Sequence, residues 1–286
     1  MNYILQNDKL KATFKTAGAE LTSVVSTETG REYMWYADPK FWCRTSPVLF
    51  PAVGGLKNGT YTYQGKEYQL EKHGFARNME FELEKQTEDQ LIFRLEATDE
   101  TKKSFPFEFV LRIIYTLTGN KLRVDWEVVN RDEKTMYFSI GGHPAFLHPE
   151  NVQPYILFDS DEIICSQVDT PTGLLAPEEW PLPLENRAYR IDDHAFDHDA
   201  LVIQNHQSHQ VALADDQMRV YVKVTFDAPL YGVWAPPGKG VPFVCIEPWY
   251  GRCDRIDFSG TLEEREYGNQ AAPGETFTAG YEIEYC

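Results

Sequence analysis

The chain has 286 residues, with 27 Lys plus Arg against 44 Asp plus Glu and a formal net charge of −17. So acidic a surface repels phosphate backbones and anionic lipid headgroups, and no basic run counters it locally, which excludes nucleic acid and membrane surfaces as partners. A composition of 42% hydrophobic, 14% aromatic and 25% charged residues excludes disordered and fibrous classes, and the aromatic excess favours strands.

The opening MNYILQNDKLKATF lacks the basic-then-apolar plan of a signal peptide, and no stretch approaches the roughly 20 apolar residues of a membrane-spanning helix. A cytoplasmic protein is expected. Cys43, Cys165, Cys245, Cys253 and Cys286 are scattered without a CxxC pair, so they are read as reduced and structural.

In chain order, a turn is predicted at Gly30 and a hairpin at Gln64-Gly65 within TYTYQGKEYQL. Apolar residues alternate with a period of two over 91–95, 122–128 and 220–226, the pattern of half-buried strands. Gly119-Asn120 separates FVLRIIYTLT from KLRVDWEVV, which predicts two long antiparallel strands with Leu122, Val124, Trp126 and Val128 on the core face. Helical periodicity is confined to Asp38–Cys43 and Thr261–Arg265. The proline-rich, acidic segment 166–199 reads as a long functional loop, not a domain linker, because similar strand patterns resume beyond it. The fold class is therefore all-β: one domain over 1–286, built as a large antiparallel β-sandwich, since so many strands exceed what one open sheet holds.

Four segments concentrate ionisable and aromatic residues among glycines and prolines. In 42–51, Arg44 precedes an apolar run bounded by prolines; a guanidinium fork there suits a hydroxyl-rich ligand, or an ordinary ion pair. In 72–77, His73 stands before Gly74 and Phe75, where a lone histidine is a hydrogen-bond donor to substrate or a satisfied structural residue. His143 follows Gly141-Gly142 and precedes Pro144, a position that points into an opening, and imidazole can give and take a proton near neutral pH. Glu247 ends the apolar run Val241–Ile246 beside Trp249; desolvation would raise its pKa towards that of a general base, unless it pairs with Arg252 or Arg255. Trp234 and Trp249 offer faces on which a sugar ring stacks, or plain core. His194 and His198 are spaced for zinc only on a helix, and this stretch does not read as one. His148, His206 and His209 lie in polar loops and are read as solvent-exposed. No metal and no cofactor are expected.

Taken in order, WxRxSPVLFP (42–51), KHGFAR (72–77), GGHPAF (141–146) and W…VPFVCIEPWYG (234–251) resemble the galactose mutarotase-like, or aldose 1-epimerase, family over most of the chain. The resemblance implies a large β-sandwich with an open cleft, and a cofactor-free reaction on a small-molecule sugar, α and β anomers being interconverted by ring opening and reclosure. It implies His143 as general acid, Glu247 as general base, and His73 and Arg44 as groups orienting the sugar. An aspartate that binds sugar hydroxyls falls in 196–201, at Asp199 or Asp197, with Asp199 preferred because it precedes the strand-like ALVIQN. Better-studied members carry an asparagine before the histidine and Tyr-Phe-Asn after it; here Gly142 and Pro-Ala-Phe leave the sugar's identity open.

Three other readings compete. A hexose-phosphate epimerase would need Arg44, Arg77, Arg252 or Arg255 to grip a phosphate, against which the net charge counts. A glycoside hydrolase would need two flanking carboxylates, Glu247 with Asp197 or Asp199. A non-catalytic sugar-binding module would keep the fold without turnover. A monomer or homodimer is expected.

Overall fold

The computed structural model describes residues 1–150, 152–238 and 240–286. It is built of antiparallel strands in two large sheets and three small ones. The nine-stranded sheet runs, edge to edge, through Ala188–Arg190, Tyr155–Phe158, Gln210–Ala214, Val220–Phe226, Thr276–Tyr285, Lys121–Asn130, Phe109–Thr118, Gln90–Glu96 and Glu82–Gln86. The predicted turn at Gly119-Asn120 joins two of its inner strands, pairing Thr118 with Lys121. Leu122, Val124, Trp126 and Val128 are buried at 0–2% exposure, so alternation alone fixed the register of the core face. The Gln64-Gly65 hairpin forms between Thr60–Tyr63 and Lys66–Gln69.

The second, eight-stranded sheet carries the site. Its order is Leu174–Pro181, Ile164–Asp169, Leu201–Ile203, Leu230–Trp234, Phe243–Tyr250, Ile140–Gly142 and Val48–Leu49, with Ala145–Leu147 also pairing on Phe243–Tyr250. Residues Phe243–Trp249 are all buried, as befits a central strand covered on both faces. Two short strands share its one side: Gly141 pairs with Trp249, and Ala145 with Cys245. The interruption between them places His143 directly across from Glu247.

Two glycines shape the sheet surface there. A Cβ on Gly232 would lie 2.5 Å from the Trp249 ring, and one on Gly141 would lie 2.8 Å from its Cδ1. Their bare backbones let the indole lie flat along the sheet instead of standing away from it.

Two sequence expectations need correction. The segment 166–199 is not a continuous loop: it contains most of Ile164–Asp169, then Leu174–Pro181 and Ala188–Arg190. The last two are sheet-edge strands, where proline and charge are tolerated and alternation is not enforced. Asp38–Cys43 forms a single turn, closed by Phe41 and Trp42 N–H groups donating to the Asp38 carbonyl, and not a helix. Around Thr261–Arg265 the chain does make a 3₁₀ turn, Leu262–Glu264, with a capping box between Thr261 and Glu264. A four-residue helix, Thr101–Ser104, carried no periodic signal.

Replacing Gly232 with alanine should destabilise the protein by about 1–3 kcal/mol, because the Trp249 ring has to move out of its seat. Urea unfolding monitored by tryptophan fluorescence checks this; an unchanged midpoint and an unchanged native spectrum would contradict the packing role.

Candidate active site

A cleft of about 340 Å³ opens on the eight-stranded sheet, lined among others by Trp42, Lys72, His73, Arg77, His143, Asp199, Trp234, Glu247 and Trp249. Its size is that of a small-ligand pocket. At its centre His143 Nε2 stands 3.2 Å from Glu247 Oε2, with His143 7% and Glu247 1% exposed. The Trp42 indole covers the imidazole in a stacked arrangement, 4.8 Å between centroids. Trp234 meets the same ring edge-on at 5.5 Å, and His73 does so at 5.7 Å.

The segment carrying Trp42 is braced by a buried carboxylate. Glu20 accepts the backbone N–H groups of Thr45 and Ser46 at 2.8 and 2.9 Å and pairs with Lys15. The Pro47 and Thr45 carbonyls in turn accept the N–H groups of His143 and Ala145.

Burial moves the two central groups in opposite directions. It drives the His143 imidazole down to about 3, and the cations Arg77, Lys72 and Arg44 push the same way. It drives the Glu247 carboxyl well above the ordinary carboxylate range, with Lys72 opposing and Asp199 reinforcing the rise. The empty cleft therefore favours a neutral imidazole beside a neutral carboxylic acid. His143 Nδ1, Glu247 Oε2 and Trp249 Nε1 are buried without a well-aligned hydrogen-bond partner. Orphan polar atoms of this kind are what a polyhydroxylated ligand satisfies.

His73 is oriented by its backbone environment. The Gly54 N–H donates to His73 Nδ1 at 3.1 Å, so the neutral ring carries its proton on Nε2. Burial, then the neighbouring His143, pushes its pKa well below 6.5. Asp199 sits at a left-handed φ of 66° and accepts the Trp234 indole N–H at 2.7 Å.

The cleft thus gathers His143, Glu247, His73, Asp199, Trp234 and Trp249, which the sequence singled out. It does not gather Arg44 or Asp197. Arg44 donates to Asn78 Oδ1 at 2.6 Å and to the Arg77 carbonyl, outside the lining, while Arg77 itself faces in. Asp197 pairs instead with His194 at 2.8 Å. Arg252 and Arg255 do not reach Glu247: the first is held by Gln204 and Glu266, the second by Asp257. Trp42 and Lys72 lie within the segments that carry the resemblance but without an assigned role, and Arg77 only as a candidate for gripping a phosphate; nothing local distinguishes a lysine that faces a cleft from one that faces solvent. Cys245 lies with its sulfur, a His143 nitrogen and a Glu247 oxygen within 4.8 Å of one another. Burial and Glu247 push its thiol well above the usual range, which opposes the thiolate a metal would need.

Comparison with known proteins gives matches along the full chain. The family model for aldose 1-epimerase matches residues 1–283. Protein LacX of Lactococcus lactis subsp. lactis, in its plasmid and chromosomal forms, is 33% identical over 297 residues, covering 99% of this chain and 99% of the relative. Among solved structures, a galactose mutarotase related enzyme from Lactobacillus acidophilus is 38% identical with a TM-score of 0.95, covering 100% of this chain and 97% of that one. A galactose mutarotase-like protein from Lactobacillus casei ATCC 334 is 26% identical with a TM-score of 0.93, each chain being covered in full.

The buried imidazoles make stability depend on pH. Both His143 and His73 have folded pKa values below 6.5, so the unfolded chain takes up protons first, and their contribution, full above 6.5, is lost as pH falls from there towards 3. Glu247, raised above 4.5, has the opposite sign: its contribution is full below 4.5 and is lost as pH rises. Each group gives a slope of about 1.4 kcal/mol per pH unit. Between 4.5 and 6.5 the two histidines outweigh the one carboxyl, and net stability should fall on acidification. Urea midpoints at pH 7 and pH 5 should show that fall, and it should vanish or reverse in a His73→Asn, His143→Asn double variant, where only the opposing contribution of Glu247 remains; an identical pH slope in wild type and variant would refute the assignment.

Proposed function

For a chain that belongs to the aldose 1-epimerase family, we propose an isomerase that interconverts the α and β anomers of a free aldohexose such as galactose or glucose. The observation that carries the reading is the buried His143–Glu247 pair at 3.2 Å on the wall of the cleft, one imidazole and one carboxyl whose protonation is coupled. Acid–base ring opening needs two such groups and no others.

In the proposed cycle His143, protonated, donates to the ring oxygen while Glu247, ionised, takes the proton of the anomeric hydroxyl. The C1–O5 bond breaks and C1 becomes an aldehyde. Rotation about C1–C2 presents the other carbonyl face, the ring oxygen attacks it, His143 recovers its proton and Glu247 returns one to the new hydroxyl. The pair holds one proton throughout. Before ring opening it is imidazolium and carboxylate; beside the open aldehyde it is imidazole and carboxylic acid, the state that burial favours in the empty cleft. The desolvated site thus leans towards the high-energy open form. His73 Nε2–H and Asp199 supply a donor and an acceptor for sugar hydroxyls, the Trp234 N–H keeps Asp199 aimed, and indole faces receive the sugar's C–H surface.

A second reading, a phosphorylated aldose, is supported by Lys72 and Arg77. Both line the cleft, and neither has a carboxylate partner among the described residues. The net charge of −17 counts against a phosphate, but an anion in the cleft meets these two cations first. The anomeric hydroxyl must be free, so the phosphate would sit on another carbon.

Polarimetry on freshly dissolved α-glucose and α-galactose tests the first reading. Wild type should exceed the spontaneous rate, and His143→Asn and Glu247→Gln should each lose about 10²-fold or more in turnover with little change in sugar affinity. Binding without acceleration would make the protein a sugar-binding module. The pH profile of kcat/KM adds a check: the second proton joins His143 only at about 3, so activity should persist on acidification through 6.5, and an acid limb at 6.5 would contradict the coupled pair. For the second reading, glucose 6-phosphate should be preferred to glucose, and Lys72→Met should reduce that preference about tenfold or more; equal use of both sugars, unaffected by the substitution, rules it out.

A further inference from the structure

Away from the cleft, His206, His209 and Asp227 bring one ligand atom each within 4.8 Å of the others. The two histidines, read from sequence as plain solvent-exposed side chains, lie in the turn between Leu201–Ile203 and Gln210–Ala214, and Asp227 follows Val220–Phe226. The backbone beneath them is pinned. The His206 N–H donates to the Pro229 carbonyl at 3.0 Å, the Phe226 N–H donates to the His209 carbonyl at 3.0 Å, and the His209 N–H meets both oxygens of Asp159 at 3.2 Å. Asn205 and His206 both take left-handed φ values, 67° and 51°, which tighten the turn. The two imidazoles stack with centroids 5.7 Å apart, and His209 Nδ1 faces Asp227 Oδ1 at 3.7 Å.

We propose that His206, His209 and Asp227 form a surface site for a divalent transition-metal ion of the imidazole-preferring kind, Zn²⁺ or its neighbours Co²⁺, Ni²⁺ and Cu²⁺. Two imidazoles and a carboxylate are the ligand set such ions select, whereas Ca²⁺ and Mg²⁺ take oxygen alone. In a tetrahedral site with bonds of 2.0–2.1 Å, neighbouring ligand atoms stand about 3.3 Å apart. The His209–Asp227 separation is already near that value. Asp227, with its side chain 92% exposed, has no other ion-pair partner among the described residues to give up in closing the remainder. Three protein ligands leave a fourth position to water. None of the three residues lines the cleft, so the effect expected of an ion there is on the backbone they tie together. It ties the turn after Leu201–Ile203 to the turn before Leu230–Trp234, two strands that pair in the eight-stranded sheet. The opposite ends of those strands bear Asp199 and Trp234, joined by their hydrogen bond. A metal ion would act as a staple on the strand pair that presents Asp199.

The test uses the full chain, stripped with a chelator and titrated with ZnCl₂ by calorimetry, with thermal unfolding followed in parallel. The expected result is one equivalent bound, a rise in Tm with Zn²⁺ that MgCl₂ does not reproduce, and at least a tenfold loss of affinity in both His206→Asn and Asp227→Asn. Asparagine keeps the left-handed turn at 206 and the shape of the side chain at 227, and circular dichroism confirms that the variants fold. Co²⁺ substitution separates this site from Cys245: a d–d spectrum without a thiolate charge-transfer band is expected. No saturable binding, binding unchanged in both variants, or a strong thiolate band would each overturn the proposal.

Discussion

Exclusion of water from one imidazole and one carboxyl is the constraint around which this structure is arranged. His143 and Glu247 face each other at 3.2 Å in a place where neither can be charged cheaply, and the elements around them keep it so. Trp42 lies over the imidazole, Trp249 lies flat beside Glu247, and Gly141 and Gly232 make room for that second indole. Because burial depresses one pKa and raises the other, the pair retains a single proton over a wide pH range and rests as imidazole and carboxylic acid in the empty cleft. Two solvated groups at the same distance would titrate near their ordinary values and would sit apart in charge for most of the neutral range.

Holding the pair dry requires rigid walls, and the walls are fastened from behind. Glu20 is buried at 2% exposure, yet it is satisfied by two backbone N–H groups and Lys15, so its charge is compensated where it sits. Those bonds fix 45–47, whose carbonyls hold the backbone of His143 and Ala145, and the same segment delivers Trp42 to the imidazole. Charge is distributed with the same economy. The chain as a whole is strongly acidic, but Lys72 and Arg77 stand at the cleft without carboxylate partners among the described residues, so the field met by a ligand there is set by neighbours within a Debye length and not by the sum.

Much of the fold was legible because antiparallel sheets with one covered face write themselves as alternation. Leu122 to Val128 and the Gly119-Asn120 turn specify a hairpin and its register without tertiary information. The four chemistry-bearing segments were legible for a related reason: glycine and proline beside an ionisable residue mark where a ladder stops. That the four meet could not be read from spacing. It follows from sheet order, which brings Ile140–Gly142 and Leu230–Trp234 to opposite sides of Phe243–Tyr250. Side-chain direction was equally hidden. Arg44 and Arg77 occupy adjacent space, but the Asn78 amide and the Arg77 carbonyl draw Arg44 away, and Asp197 is taken by His194. Leu174–Pro181 escaped notice because an edge strand need satisfy neither the period nor the donor count of an interior one.

The position of the pair in the sheet also explains how a rigid scaffold leaves its reactive groups free. Pro144 and Pro248 immediately follow His143 and Glu247, and neither can donate to a ladder. Along the central strand, pairing is regular at Gly141–Trp249 and again at Ala145–Cys245, with a single gap between, spanned by the Ile246 N–H donating to the Pro144 carbonyl at 3.3 Å. The gap costs backbone hydrogen bonds in the middle of a sheet, which the flanking strands offset by holding the chain on both sides. What it provides is a place where two facing side chains emerge from opposed backbones at a break and not within a pleat. Directly opposed residues of an antiparallel pair share a face, so the register itself points both polar groups towards the same opening, while the break leaves them clear of the ladder and their Cα positions stay fixed by the paired residues two steps away.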